Sequence, residues 1–301
     1  MNREYFSCFI ILHYNQNTIK DTIECVESIK NNIYFKDKYK IIIVENGSKD
    51  NSIKLLRNKF GKDSSVDIVI SKDNLGFARG NNLGCKRAID YYSPDFLIVI
   101  NNDTVINQRD FLEKIKERYN KEKFHVLGPC IYDKNKNNQN PMKDLIIDVE
   151  RIDEELNKSK KKLVELNRIR NSSFLMIKSN ISKFIYSKFN RKKLDVIDKS
   201  IKKEIKNIGL HGAALIFSKD YYKNYRGVFF EGTFLYLEED ILFYRILKDN
   251  LVSVYYPELE IFHKEDKATE ASINKPIEQY IFKEKNIINS LEVYKNLILN
   301  E

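Results

Sequence analysis

The chain has 301 residues, 42% of them hydrophobic and 32% charged, with no Trp and a formal net charge of +9. That length allows one large α/β domain or two modest ones, with a real core under a heavily solvated surface. No apolar run approaches the ~20 residues that span a bilayer, and the N-terminus lacks a signal peptide's long apolar region. Cys8, Cys25, Cys85 and Cys130 are scattered with no Cys-x-x-Cys pair, which argues against structural zinc or a disulfide framework and fits a reducing cytoplasm. The positive charge suits phosphate-bearing partners such as nucleic acid, anionic lipid or nucleotide-sugars, or else a plain Lys-rich surface.

Residues 6–12 read as a first strand, followed by the polar loop His13-Tyr14-Asn15. Thr18 to Asn31 carries Ile19, Ile23, Val26 and Ile29 at helical spacing. Tyr39 to Val44 is a second buried strand that ends in Glu45-Asn46-Gly47-Ser48. A helix over Asp50 to Phe60 follows, with Ser48 or Asp50 as its cap. Val66 to Ile70 is a third strand, Gly80 to Tyr92 a third helix stopped by Pro94, and Phe96 to Ile100 a fourth strand. The alternation predicts a parallel sheet with right-handed crossovers.

The pattern degrades after Ile131. Asp133 to Pro141 reads as an exposed Asn- and Lys-rich loop. Asp148 to Lys206 is dense in Lys and Arg: Glu150 to Arg170 has the look of a charged helix, and Phe174 to Phe189 of a basic amphipathic one. Such a helix lies on an anionic membrane surface or packs, solvated, on a core. Gly209 to Ser218 reads as a strand passing close to another backbone or a ligand, because small residues precede its apolar run. Phe229 to Leu237 leads into Glu238-Glu239-Asp240 and a helix to Asp249. Val252 to Tyr256 is a short strand closed by Pro257, with Leu259 to His263 after it, and Pro276 to Leu299 reads as a C-terminal helix.

Four clusters fall where strands end or loops begin. Asn101-Asn102-Asp103 follows the fourth strand, where open α/β sheets bind ligands and where an Asp can reach a divalent metal. Glu45-Asn46 can hydrogen-bond the edge of a base or a ribose. Asn74-Leu-Gly-Phe-Ala-Arg-Gly-Asn-Asn82 combines glycines that permit close backbone approach with Arg79, which can neutralise phosphate. It is neither Gly-x-Gly-x-x-Gly nor a P-loop, so dinucleotide and NTPase readings are weak. Glu238-Glu239-Asp240, with His263 further on, could supply a general base and a metal ligand. Three acids at a helix start also simply complement the helix dipole.

Together these segments resemble the inverting family 2 glycosyltransferases of the nucleotide-sugar-binding GT-A fold, and in particular their rhamnosyltransferase-like bacterial branch. Ile11-Leu-His-Tyr-Asn15 is similar to that family's first strand and loop, and Val44-Glu-Asn-Gly-Ser-Lys-Asp-Asn-Ser52 to its Val-Asp-Asn-x-Ser-x-Asp-x-Ser signature. Asn74 to Asn82 resembles its Asn-x-Gly-Phe-Ala-x-Gly-Asn-Asn run, the most specific match. Asn101-Asn-Asp103 stands in the place of Asp-x-Asp, Phe234 to Arg245 resembles the Glu-Asp helix that supplies the base, and Ile261-Phe-His263 the terminal His motif. The chain departs from the pattern in Glu45 for Asp, Asn101 for the first Asp, and Arg79 where Gly is frequent.

The resemblance implies a GT-A α/β fold: a mostly parallel sheet flanked by helices, with a helical insertion and a C-terminal helix. The match covers roughly 6–131 and 207–266: a nucleotide-sugar-binding half (1–131) and an acceptor-side half with the C-terminal helix (207–301), while the uncovered 132–206 stretch is expected to be a Lys-rich helical insertion from its loss of strand–helix alternation. The resemblance implies transfer of a sugar from a UDP- or dTDP-linked donor to a glycan or lipid-linked glycan, in bacterial surface polysaccharide assembly at the inner face of the cell membrane. Asp103 and His263 would hold Mn²⁺ or Mg²⁺; Tyr14, Asn15, Glu45, Asn46, Asn74, Gly76, Arg79, Asn82 and Asn102 would hold the donor nucleotide. The base is Glu239 if Arg245 sets the register, and Asp240 if the register is one residue longer. A sugar-1-phosphate nucleotidyltransferase would want a Gly-rich loop after the first strand, which His13-Tyr14-Asn15 is not. A nucleic-acid-binding protein would want aromatics interleaved with basic residues, of which Phe174 to Arg191 is a faint version; no nucleic-acid partner is expected.

Overall fold

The first strand sets the frame. In the computed structural model, which describes residues 5–34, 37–142, 148–171, 202–225, 227–265 and 276–300, Phe6–His13 (β1) runs parallel to Lys38–Asn46 (β2) on one side and to Phe96–Asn101 (β4) on the other. Val66–Ser71 (β3) lies parallel beyond β2. Alternate residues of β1 feed two different cores: Phe9 and Ile11 join Ile41, Ile43, Ile98 and Ile100 on one face, while Cys8 and Ile10 join Ile42, Val44, Leu97 and Val99 on the other. Burial on both faces is why these strands are apolar without alternation. Ile19–Asn32 (α1), Ser52–Phe60 (α2) and Phe111–Lys121 (α4) cover the first face, and Gly76–Tyr92 (α3) the second.

Helix α3 starts four residues before the expected Gly80. Its glycines act as packing positions: a Cβ on Gly84 would lie 2.6 Å from both Ile10 and Val44, so the helix sits directly on the sheet. The cap of α2 is Asn51 rather than Ser48 or Asp50; Asp50, one residue earlier, accepts the Ser52 N–H at 2.8 Å.

Beyond β4 the sheet becomes mixed. Ala214–Ser218 (β8) pairs antiparallel with β4, and Val126–Tyr132 (β6) antiparallel with β8. Ser253–His263 (β9) runs parallel to β6. Two-residue strands flank β9: Ile205–Lys206 (β7) pairs with its start and Thr104–Val105 (β5) with its end. The order is β3-β2-β1-β4-β8-β6-β9-β5, with β7 on β9 outside that path. This is the α/β, mostly parallel sheet flanked by helices that the GT-A resemblance implies.

Pro257 does not close a strand. β9 continues through it, and the register against β6 jumps there, from Pro129↔Tyr256 to Cys130↔Glu260. Residues 257–259 are left out of the ladder, so the missing proline N–H costs no hydrogen bond. The strand expected over Gly209 to Ser218 is shorter than read, beginning at Ala214.

Val149–Asn171 (α5) is the charged helix expected within the 132–206 stretch. It packs on the C-terminal helix, Pro276–Asn300 (α7), through Ile152, Leu156 and Leu166 against Ile281, Ile288, Leu291 and Leu297. Ile241 of Glu238–Lys248 (α6) completes that cluster. Several α5 cations are spent on α7 acids: Lys162–Glu284 at 2.7 Å and Lys160–Glu292 at 2.9 Å. The helix expected over Phe174 to Phe189 lies outside the described residues. Among the described residues, no helix is long and apolar enough to cross a membrane. All four cysteines are free and buried; burial pushes the Cys8 and Cys25 thiols up to about 12.

Candidate active site

The carboxyl ends of β1, β2 and β4 open into a cleft of about 420 Å³. One wall comes from strand ends and the start of α3: Leu12, Tyr14, Asn46, Asn74, Gly76 and Phe77. Its asparagines are tied to one another. Asn46 Nδ2 donates to Asn74 Oδ1 (3.1 Å) and Gly76 O (3.2 Å), its Oδ1 accepts the Leu75 N–H (3.0 Å), and Asn74 Oδ1 accepts the Gly76 N–H (2.9 Å). The wall is thus held rigid before any ligand arrives. Gly76 has φ +76°, and a Cβ there would lie 2.1 Å from Phe234 O. Asn15, with φ 66°, sits beside Tyr14; its N–H donates to Ser48 Oγ at 2.9 Å.

Four of the donor-side residues named from sequence do not line the cleft: Asn15, which sits next to Tyr14, and Glu45, Arg79 and Asn82. Glu45 is fully buried under the turn after β2, where Oε1 accepts the Ser48 N–H at 2.9 Å; it does not line the cleft. Its strand neighbour His13 is buried too, and burial lowers its pKa to about 4, so the ring is neutral. Arg79 is exposed and outside the cleft. Asn82 faces the 229–231 segment, bonding Phe229 through both its amide groups, at 2.8 and 3.0 Å.

The floor is Asn101-Asn102-Asp103. Asn102 Nδ2 donates to Thr22 Oγ1 at 3.0 Å, which fixes the turn to α1. Asp103 meets His263 because β5 pairs Thr104 with His263 and the Lys264 N–H donates to Asp103 O at 3.0 Å. His263 Nε2 lies 3.3 Å from Asp103 Oδ1, and both side chains are 9% exposed. On the far side of the ring, His263 Nδ1 is 2.7 Å from Gln139 Oε1, and Gln139 Nε2 donates to Glu265, which also lines the cleft. Among the described residues no group of three or more His, Cys, Asp or Glu is poised for a metal. A carboxylate and an imidazole side by side nevertheless fit a divalent ion whose other positions are filled by phosphate oxygens and water.

The opposite wall is Leu235 and Tyr236, just before α6. Tyr236 and Leu237 are both left-handed, with φ 72° and 69°. Two such non-glycine residues in a row persist only where surroundings hold them. Here Phe234 O accepts the Phe77 N–H at 2.8 Å and Leu235 O accepts from Ser290 Oγ of α7 at 2.8 Å.

The three acids that open α6 point three ways. Glu238 is buried against Thr233 Oγ1 (3.1 Å); burial, with the neighbouring Glu239 charge, raises its pKa to about 8. Asp240 is buried and its charge adds to the burial that pushes the Tyr294 phenol of α7 up. Glu239 is partly exposed, and its Oε1 accepts the Gly212 N–H at 3.2 Å. A Cβ on Gly212 would lie 2.4 Å from that oxygen. Next to Gly212, the His211 ring stands edge-on to His263 with centroids 5.9 Å apart. Glu239 is therefore linked to the Asp103–His263 pair through residues 211–212, while none of the three acids lines the cleft itself.

Sequence reasoning passed over Gln139, His211, Gly212, Tyr236 and Glu265. The Gly-Leu-His-Gly-Ala stretch did carry the signal of close backbone approach, and Gly212 realises it. The 133–141 loop gave no such signal: Asp133 to Asn137 are largely exposed as expected, but Asn138, Gln139 and Asn140 fold back and are buried.

A carboxylate–imidazole pair thus stands at the carboxyl edge of an α/β sheet, beside a Gly- and Asn-rich helix start, where open α/β sheets take their ligands. The sequence matches the glycosyl transferase family 2 profile over residues 8–182, and the chain belongs to that family. No protein of curated function matches it. Among solved structures, S. aureus TarS 1-349 in complex with UDP is similar with a TM-score of 0.52 and 11% identity, over 93% of this chain and 65% of that one. GalNAc-T7 with UDP, GalNAc and Mn²⁺ gives 0.56 and 11%, over 88% and 44%. The Pyrobaculum calidifontis mannosyltransferase PcManGT, in complex with GDP-Man and Mn²⁺, gives 0.53 and 13%, over 98% and 71%. The chain thus spans under two thirds of the length of TarS and under half of GalNAc-T7.

Proposed function

We propose that the protein is an inverting glycosyltransferase that moves a sugar from a nucleoside-diphosphate-sugar to an acceptor hydroxyl. The observation that carries this reading is the convergence of Asp103 and His263, 3.3 Å apart, at the floor of the cleft. Tyr14, Asn15, Asn46, Asn74, Gly76 and Asn102 form the donor side. Glu45 supports it from beneath, Asn82 braces the helix start behind it, and Arg79 adds positive charge from outside.

Glu239 takes the proton of the acceptor hydroxyl as its oxygen attacks the anomeric carbon, while the bond from that carbon to the diphosphate oxygen breaks on the opposite face. Attack from the opposite face gives inversion. The Gly212 N–H holds the carboxylate in place for this. Asp240 is the second candidate, turned towards α7. Asp103 and His263 would hold the divalent cation, Mn²⁺ or Mg²⁺, which when bound neutralises charge on the departing diphosphate.

For substrate class we infer a UDP- or dTDP-linked hexose or rhamnose and a glycan or lipid-linked glycan acceptor, in bacterial surface polysaccharide assembly. The protein would then work at the inner face of the membrane, with the Lys-rich 132–206 stretch turned to acceptor or anionic lipid and residues 1–131 and 207–301 serving donor and acceptor. The family membership and the +9 charge support this. The test is a panel of UDP- and dTDP-sugars scored by thermal shift with and without Mn²⁺. A true donor raises Tm by mass action, and EDTA should abolish the rise. A Tm rise insensitive to EDTA counts against the metal-bridged reading, and no response to any donor counts against the transferase.

A further inference from the structure

His263 has two ring nitrogens, and the side chain of Gln139 decides which of them faces the cleft with a lone pair. The Glu265 carboxylate is an acceptor, so the amide nitrogen of Gln139 must face it. That leaves Gln139 Oε1 at 2.7 Å from His263 Nδ1. A carbonyl oxygen only accepts, so Nδ1 carries the ring hydrogen. With the hydrogen placed on Nδ1, Nε2 is the nitrogen turned to Asp103 Oδ1, at 3.3 Å.

Gln139 has little freedom to turn away. It is 7% exposed, and its own N–H donates to Ile131 O at 2.8 Å. Asn138 next to it accepts the Ile131 N–H (3.1 Å) and donates to the Tyr255 hydroxyl (2.9 Å). Asn140 on the other side donates to Pro129 O (2.8 Å) and accepts the His211 N–H (3.0 Å). The polar loop is locked to β6 and β9 on one flank of Gln139 and to β6 and His211 on the other.

We infer that Gln139 is a positioning residue: it fixes His263 as the Nδ1–H tautomer and thereby presents Nε2 to the divalent cation held with Asp103. The inference rests on the reading of Asp103 and His263 as cation ligands. Partners of this kind orient metal-binding histidines, and their loss weakens metal affinity by about 10–100-fold.

Two measurements on the full chain test it. In the first, Mn²⁺ alone is titrated and free ion is followed by electron paramagnetic resonance. Gln139→Leu should weaken binding by about 10–100-fold, and adding it to His263→Ala should cost nothing more, because the two act through one nitrogen. The exchange variant Gln139→Glu/Glu265→Gln, which keeps an acceptor against Nδ1, should bind within about threefold of the parent. If His263→Ala binds Mn²⁺ as the parent does, the cation reading falls and this inference with it. If His263→Ala loses binding while Gln139→Leu keeps it, only this inference falls. The second measurement is side-chain ¹⁵N resonance of the metal-free protein, with the His263 signal assigned from His263→Ala. The parent should show the proton on Nδ1, and Gln139→Leu should shift it towards Nε2. A proton on Nε2 in the parent, or no change in Gln139→Leu, overturns the inference whether or not the loop stays folded.

Discussion

The two walls of the cleft are built by different means. The donor wall is local: Tyr14, Asn46 and Asn74 each stand within a few residues of a strand end, and a parallel sheet with short connections delivers them together. The facing wall is assembled from distant segments. Leu235 and Tyr236 are held by Phe77 and by Ser290 of the C-terminal helix, and the floor beside them is assembled in the same way: Asp103 meets His263 from the last strand, and His263 leans on Gln139 from the loop after β6. The donor wall should therefore survive most distant changes, whereas the facing wall should respond to substitutions far from the cleft.

The largest expected effect is on chemistry. Glu239→Gln should lower turnover by roughly 10²–10⁴-fold, the contribution of a positioned base, with Mn²⁺ affinity unchanged because Glu239 touches Gly212 and not the cation pair. Asp103→Asn should instead lower Mn²⁺ affinity and turnover together. If Asp240→Asn loses turnover and Glu239→Gln keeps it, the base is Asp240.

Gly76→Ala tests the place where the walls touch, next to the Phe77 N–H that donates to Phe234 O. With φ at +76° and Phe234 O only 2.1 Å from the added carbon, it should destabilise by roughly 2–4 kcal/mol in urea denaturation and loosen both walls. A midpoint within error of the parent would mean that the walls are independent.

Glu238 gives a pH signature. Its pKa stands near 8 in the fold against 4.5 for the ordinary carboxyl, so between those values the folded chain binds more proton than the unfolded one. Stability should fall as pH rises from about 4.5 to about 8 and then level off. Glu238→Gln removes this slope and should be the more stable protein above pH 8, by a few kcal/mol at most. Parallel Tm-against-pH curves for the two proteins would show that Glu238 is ionised in the fold.

The smallest expected effect, Ser290→Ala, is also the most specific. Losing its hydrogen bond to Leu235 O should cost about 1 kcal/mol and raise KM for acceptor more than for donor. Equal changes in both would place Leu235 and Tyr236 on the donor's side of the comparison.

The same division explains what was legible in the sequence. β1, β2 and β4 carry continuous apolar runs because both their faces are buried, and runs of that kind can be read without knowing the neighbours; β3, at the sheet edge, is apolar at Val66, Ile68, Val69 and Ile70 but half-exposed. Asp103 and His263 could be picked out because strand ends are where such sheets bind ligands. The antiparallel insertion of β8 between β4 and β6 could not, since pairing direction leaves no mark on an apolar pentapeptide. Pro257 misled because a register jump in its own strand, which leaves residues 257–259 out of the ladder, removes the cost that normally ends a strand at proline. Glu45 misled in another way: its position after β2 is that of a ligand-facing residue, but its extra methylene is used to reach the Ser48 N–H. Gln139 carried no signal because its role exists only once β6, β9 and the loop are folded together.

The pairing of β9 has an evolutionary consequence. The chain leaves the sheet at Tyr132, opposite Phe262, and returns at Ile205, opposite Tyr255. Departure and return are thus both anchored on one strand, a fixed distance apart. For an excursion closed in this way, each doubling of its length costs only about 0.6 kcal/mol of closure entropy. The stretch between the buried Asn140 and α5 can accordingly change length at little cost, whereas α5 itself is tied to α7 through Ile152, Leu156 and Leu166 and with it to the Leu235 wall of the cleft.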